Sequence, residues 1–257
     1  MDRISIDFDE VRRMEAASER AWPAAEVVPY DGWEIRVTGD IGRRVNSVGA
    51  VAAGALPVMD KIAHCEGFYR DRGMPPRFKL TAASLPAELD VLLSERGYEI
   101  EAPVSVQTRP LGDVAAPDEV EVAKDPTPDW VAANIRIGGH GTWNPALFPE
   151  LLDRIVLPTA YAAVWDDDEI IATGMAVAEA DLAGLFEVVT DPSQRGRGLA
   201  TRVVAALLAW GRARGAATGY LQVMLDNDPA LRLYGRLGFT EAYRYWYRRG
   251  EEPAGSV

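Results

Sequence analysis

Three sets of residues in the C-terminal part of this 257-residue chain have the types and spacing to do chemistry. The first is Arg195-Gly196-Arg197-Gly198. It lies between an apolar run ending in Val188-Val189-Thr190 and a run, Leu199-Ala200-Thr201, that opens a helical pattern. A strand that enters a glycine-containing loop and turns into a helix leaves several backbone N–H groups unpaired at the helix start, and such groups bind phosphate-like anions. Glycine lets the backbone approach a ligand with no Cβ in the way, and arginine adds charge and hydrogen bonds to phosphate oxygens. The second set is Asn227, Ala230 and Tyr234 on one short helical stretch, with Asn227 and Tyr234 two turns apart. Asn227 can cap that helix or bond a polar ligand arm, and a phenol at 234 can give a proton to a leaving group. The third is Glu187, the acidic residue of the strand that enters the loop, whose carboxylate can take a proton directly or through water.

The loop is neither of the commoner nucleotide loops. A Walker-type loop needs Gly-Lys, and no Gly-Lys pair occurs. A dinucleotide fingerprint needs a third glycine where this chain has Thr201. The match is to Arg-x-x-Gly-x-Ala, filled by Arg195, Gly198 and Ala200, together with Asn-x-x-Ala-x-x-x-Tyr-x-x-x-Gly-Phe, filled by Asn227, Ala230, Tyr234, Gly238 and Phe239. With these motifs the chain resembles the GNAT superfamily of acyl-CoA N-acyltransferases. The resemblance implies acetyl-CoA as co-substrate. Its pyrophosphate would sit on Arg195, Gly196, Arg197, Gly198, Leu199, Ala200 and Thr201. Its pantetheine arm would lie along Val188, Val189 and Thr190 on a splayed strand end and against Asn227. One strand N–H would polarise the thioester carbonyl, Tyr234 would act as general acid and Glu187 as general base. His140, Trp143 and Asn144, in a glycine-rich loop, would border the acceptor, with His140 a rival base. The implied reaction is transfer of an acetyl group to a primary amine by direct attack in a ternary complex, with no metal. The acceptor is a small-molecule amine, an amino acid or a protein N-terminus. A non-catalytic acyl-CoA sensor or scaffold of the same fold is the alternative.

These residues need a frame. In the C-terminal part a strand is expected near Glu119–Ala123. A helix opens at Pro128 with Thr127 as cap, and a second helix covers Ala146–Ile155. Strands follow at Thr159–Trp165, Glu169–Ala178 and Leu182–Thr190, with turns at Asp166-Asp167-Asp168 and Glu179-Ala180-Asp181. Val203, Val204, Leu207 and Leu208 follow helical spacing after the loop. A buried strand at Gly219–Leu225, a helix at Pro229–Leu237 and a strand at Tyr243–Arg248 complete this part. In the N-terminal part the pattern predicts a hairpin of Trp33–Thr38 with Arg43–Val48 and a Gly/Ala-rich loop at Gly49–Pro57. A helix at Val58–Arg72, a strand at Arg77–Thr81, a helix at Pro86–Arg96 capped by Ser84 and a strand at Tyr98–Arg109 follow. Arg43, Arg44 and Asn46 would then be polar strand residues. The element order repeats, and Leu111–Asp118 reads as a linker. The expectation is an α/β (α+β) chain of two GNAT-like halves, each a mixed, mostly antiparallel twisted sheet flanked by helices. Residues 1–112 form a degenerate half without the Arg-Gly-Arg-Gly loop, and residues 113–257 form the catalytic one.

Composition narrows the classes. A formal charge of −12 disfavours nucleic acid as partner. No apolar run approaches the ~20 residues of a membrane span. Met1–Asp7 lacks a basic stretch followed by an apolar one, so no signal peptide and a cytoplasmic location are expected. The single cysteine, Cys65, excludes an internal disulfide, and two histidines, His64 and His140, leave no Cys/His zinc cluster.

Overall fold

The computed structural model describes residues 7–112, 114–139 and 143–252. The elements in chain order are α1 (Phe8–Ala21), β1 (Glu26–Tyr30), β2 (Trp33–Val37), β3 (Val48–Gly49), α2 (Val58–Arg70), β4 (Arg77–Thr81), α3 (Leu89–Glu95) and β5 (Glu99–Pro110). Then come β6 (Glu121–Ala123), α4 (Pro128–Gly138), α5 (Leu147–Asp153), β7 (Thr159–Asp166), β8 (Glu169–Glu179), β9 (Leu182–Thr190), α6 (Leu199–Ala213), β10 (Thr218–Met224), α7 (Asp228–Arg236) and β11 (Thr240–Arg249). By contacts the chain forms two compact units. One is Met1–Ala16 with Ala24–Ser105 and Tyr243–Val257, and the other is Ala17–Pro23 with Val106–Ala242. The single cut expected at 112/113 differs from this division because β11 pairs antiparallel with β4, Tyr245–Arg249 opposite Thr81–Arg77.

In the first unit the strand order is β1-β2-β3-β4-β11. β1 and β2 form a hairpin through Asp31 and Gly32, both at positive φ, the turn that matches the right-handed strand twist. β3 and β4 are parallel, joined by α2. The expected partner of β2, Arg43–Val48, is instead a turn-rich segment with strand only at Val48–Gly49. Asn46 explains the departure. Its Nδ2 donates to Gly39 O at 2.6 Å and Gly42 O at 2.7 Å, and its Oδ1 accepts from Thr38 N at 2.8 Å. A side chain that satisfies three main-chain groups competes with a strand ladder and wins. Ser84 does not cap α3. Its hydroxyl accepts from Thr81 N, and the helix begins at Leu89. The core gathers Trp33, Ile35, Ile62, Cys65, Tyr69, Phe78 and Leu93.

In the second unit the order is β10-β9-β8-β7-β6. β6 to β9 form an antiparallel meander, and β10 is parallel to β9 across the α6 connection, as the strand-helix-strand pattern predicts. α6 buries Val203, Val204, Leu207 and Leu208 against β8 and β9, each burial worth about 1.5–3 kcal/mol. Gly174 on β8 permits that approach, since a Cβ there would lie 2.6 Å from Val203 Cγ1. α4 is fixed on the sheet by its Thr127 cap, which accepts from Trp130 N at 3.1 Å, and by the Trp130 indole, which donates to Ala162 O at 2.9 Å. No helix among the described residues is long and apolar enough to cross a membrane.

Candidate functional site

The loop expected to bind an anion is built from the chain's own constraints. Asp191 accepts from Ser193 N at 2.9 Å and from Ser193 Oγ, closing a single 3-10 turn at Pro192–Gln194. Those bonds, with the Arg136 guanidinium at 3.1 Å, hold the Asp191 carboxyl below the usual range. Gly198 then stands at φ 75 as the residue before α6, with no side-chain cap on the helix. The first intrahelical bond recorded at this end is from Arg202 N to Gly198 O, so the N–H groups of Leu199, Ala200 and Thr201 have no helical acceptor. α4 and α7 begin differently, under the side chains of Thr127 and Asn227. The bare start of α6 is the donor set an anion needs.

That helix start faces a cleft of about 490 Å³. Thr190, Arg195, Gly196, Gly198, Leu199, Ala200 and Thr201 form one wall, and Asn227 and Ala230 lie on the other with Pro229, Leu233 and Arg236. The structure thus brings together residues from both sequence motifs. Val188, Val189 and Arg197 are not in the cleft wall. Arg197 faces Asp166 at 3.5 Å and also bonds Gln194. Arg236 is the basic lining residue that the motif reading missed. Helical spacing from Leu233 was the signal that would have found it. Thr190 Oγ1 is buried without a hydrogen-bond partner, an exception that commonly marks a place for a ligand. A Cβ added at Gly196 or Gly198 would meet nothing within 4 Å, so the backbone there is open to an approaching group. Polar donors, positive charge and open glycine backbone at a helix start fit a pyrophosphate-bearing coenzyme.

Asn227 caps α7 through Oδ1, which accepts from Ala230 N at 3.2 Å. Tyr234 is buried on that helix, its ring edge-on to Phe239 at 5.8 Å between centroids, and it stands behind the cleft rather than in its wall. Burial pushes its phenol up to about 12, so it is protonated at neutral pH.

The strand beside the cleft departs from regularity at Glu187. On β8, Thr173 pairs with Val189 and Met175 with Phe186, leaving Glu187 and Val188 opposite Gly174 alone. This is a β-bulge, and Glu187 sits in it at φ 51. The simple alternation expected for Glu187, Val188 and Val189 is therefore broken. The parallel pairing of β9 with β10 ends at Leu185 and Leu221, although both strands continue. β9 beyond Leu185 is thus separated from β10, the splay that the resemblance implied. Trp143 and Asn144 precede α5, where Asn144 Oδ1 accepts from Ala146 N at 3.1 Å. His140 lies outside the described residues.

The first unit has a loop in the corresponding place between β3 and α2, but the loop is already bonded. The Asp31 carboxylate accepts from Ala55 N and Leu56 N at 2.9 Å, and the buried Lys61 ammonium lies 3.3 Å from it. Lys61 also donates to Asp31 O and Ala53 O and stands over the Trp33 ring.

Comparison with known proteins bears on the family and the fold. A family model described as "Probable histone acetyltransferase Rv0428c C-terminal" matches residues 9–248. The chain is 26% identical over 247 residues to the uncharacterized N-acetyltransferase YobR of Bacillus subtilis, covering 94% of this chain and 99% of that one. It is 28% identical over 189 residues to mycothiol acetyltransferase of Catenulispora acidiphila, covering 66% and 60%. A solved GCN5-related N-acetyltransferase from Kribbella flavida shares the fold with a TM-score of 0.69 at 18% identity, covering 96% of each chain.

Proposed function

Since the chain belongs to the family described as probable histone acetyltransferase Rv0428c C-terminal, and is a GNAT-type N-acyltransferase, we propose that its cleft binds acetyl-CoA and that it acetylates a primary amine by direct attack. The observation that carries the reading is the uncapped start of α6 facing the same cleft as Asn227 and Ala230. Leu199, Ala200 and Thr201 offer N–H groups to the pyrophosphate, and Arg195 and Arg236 add charge. Asn227, its oxygen engaged as a cap, offers its Nδ2 to the amide-bearing arm. Thr190 offers a hydroxyl at the strand end.

Holding donor and acceptor together replaces a covalent intermediate with proximity. Glu187 takes the proton of the attacking amine, and the N–H of Val188 or Val189 meets the charge that develops on the thioester oxygen. In this reading the Tyr234 phenol, on α7 behind the cleft wall, is the donor to the departing sulfur. A phenol at about 12 holds its proton more tightly than a thiolate of ordinary basicity, about 8.5, accepts it. Tyr234 therefore acts first as a hydrogen-bond donor, and the proton passes to the sulfur only as charge builds there.

The residues 1–112 half has no coenzyme site of its own in this proposal. Asp31 already occupies the N–H groups of the loop before α2, and that loop carries no Arg or Lys between Gly49 and Pro57. The test is a panel of amines, amino acids and peptide N-termini incubated with acetyl-CoA, with free thiol measured. Acceptor-dependent thiol release supports the enzyme. Tight acetyl-CoA binding without release for any acceptor favours a sensor instead.

A further inference from the structure

Glu187 is the one described residue of β9 with a strained backbone, at φ 51, and something must hold it there. A non-glycine residue at positive φ costs roughly 1–3 kcal/mol and persists only when its surroundings over-determine it. The partner is Asn134. This side chain is fully buried on α4. Its Nδ2 donates to Thr173 Oγ1 at 2.9 Å and to the carbonyl of Glu187 at 3.1 Å. Thr173 is itself fully buried and sits on β8 where the register shifts. One amide group thus ties the helix to both strands at the bulge.

The consequence follows from peptide geometry. The carbonyl of Glu187 and the N–H of Val188 belong to one planar trans peptide and point in opposite directions. A bond that draws the carbonyl toward Asn134 fixes that N–H pointing away from it. The Glu187 side chain branches from the Cα at one end of that peptide, inside the bulge. The bulge also depends on Gly174, where a Cβ would lie 3.3 Å from Val188 Cγ2 and 2.6 Å from Val203 Cγ1.

We propose that Asn134 is a positioning residue, which holds the Glu187–Val188 peptide so that the carboxylate and the strand N–H face the reacting groups together. The inference rests on the acetyl-transfer reading above and adds a residue that touches neither coenzyme nor acceptor. Asn134 lies apart from the phosphate loop, so coenzyme affinity and turnover should separate.

The experiment compares Asn134→Leu, which removes both donors at similar size, with Thr173→Val, which removes one acceptor and leaves the bond to Glu187. Asn134→Asp, which keeps the shape but loses the amide donors, serves if Leu prevents folding. In Asn134→Leu, kcat falls about tenfold or more while acetyl-CoA affinity stays within about twofold, because a displacement of about 1 Å at reacting groups is costly. Thr173→Val keeps kcat within about threefold of the parent, even if its melting temperature falls as far. Amide hydrogen exchange over residues 185–190 speeds up in Asn134→Leu without any coenzyme, and stays near the parent in Thr173→Val. A folded Asn134 variant with near-parent kcat and exchange overturns the proposal, as does an equal loss of kcat in Thr173→Val. A parent that binds no acetyl-CoA overturns the functional reading instead, and the exchange result then decides the role of Asn134 alone.

Discussion

Gly198→Val separates the coenzyme loop from the fold that carries it. At φ 75, a side chain at this position is strained, and a β-branched one most of all. The cost to folding is about 2 kcal/mol from backbone strain alone, because a Cβ would meet nothing within 4 Å. For a chain of this size that corresponds to a melting temperature lower by roughly 4–8 °C. The effect on binding is larger and separate. The valine side chain projects from the wall of the cleft at the uncapped start of α6. Loss of two charge-assisted N–H bonds to phosphate, at about 1.5–3 kcal/mol each, weakens acetyl-CoA by at least about 3 kcal/mol, or about 100-fold. Gly215→Val supplies the control. Gly215 has φ 93, also has nothing within 4 Å of a Cβ, and lies past the other end of α6, away from the cleft. Calorimetric titration with acetyl-CoA and thermal melting of both variants make the assay. Both should lose similar stability, and Gly198→Val alone should lose affinity. A folded Gly198→Val protein that binds within about threefold of the parent refutes the loop assignment. So does a Gly215→Val protein that loses as much.

Tyr234→Phe keeps the ring against Phe239 and removes the proton donor. Turnover should fall about 10²-fold with little change in acetyl-CoA affinity, and a fall under about threefold at saturating substrates leaves Tyr234 a packing residue. Titration calorimetry of the whole chain should give one acetyl-CoA per chain; two comparable sites would contradict the reading of the Asp31-filled loop. Stability should fall at both ends of the pH scale, as urea midpoints against pH will measure. Burial pushes Tyr161 and Tyr234 up to about 12, so the folded state keeps protons that the unfolded chain releases near about 10. Their effect is level below about pH 10, and stability declines from there toward 12. On the acid side, hydrogen bonds from Ala55 N to Asp31, from Arg248 to Asp90 and from Ser193 to Asp191 lower these carboxyls. Their contribution is present above about pH 4 and is lost as pH falls through the lower folded values. A midpoint that stays flat from pH 4 down to 2 would show those bonds to be absent.

The features legible in the sequence act over short stretches of chain. Thr127 caps α4 by accepting from the N–H three residues on, Asn227 caps α7 in the same way, and a glycine at positive φ before Leu199 marks where α6 starts. Alternating apolar residues with turn signals placed β7, β8 and β9, because hairpin neighbours are also sequence neighbours. The same locality explains why both halves of the cleft could be named before it was seen. Other features required distant residues to meet. Helix α1 went unseen, although its Val11, Met14 and Ala17 are buried at helical spacing, and so did β1, which is largely exposed and carries Pro29. β11 found β4, whose residues lie far earlier in the chain, and a strand's own pattern does not say which edge it joins. Asn46 turned a predicted strand into a bonded turn. Asn134 reads in sequence as an ordinary polar helix residue. Its partners are 39 and 53 residues away, and only their meeting shows that it holds the bulge. Short-range chemistry is written in spacing along the chain. Bulge, splay and buried amide arise when separate strands and helices close on one another, because only then must each buried polar group find its partner.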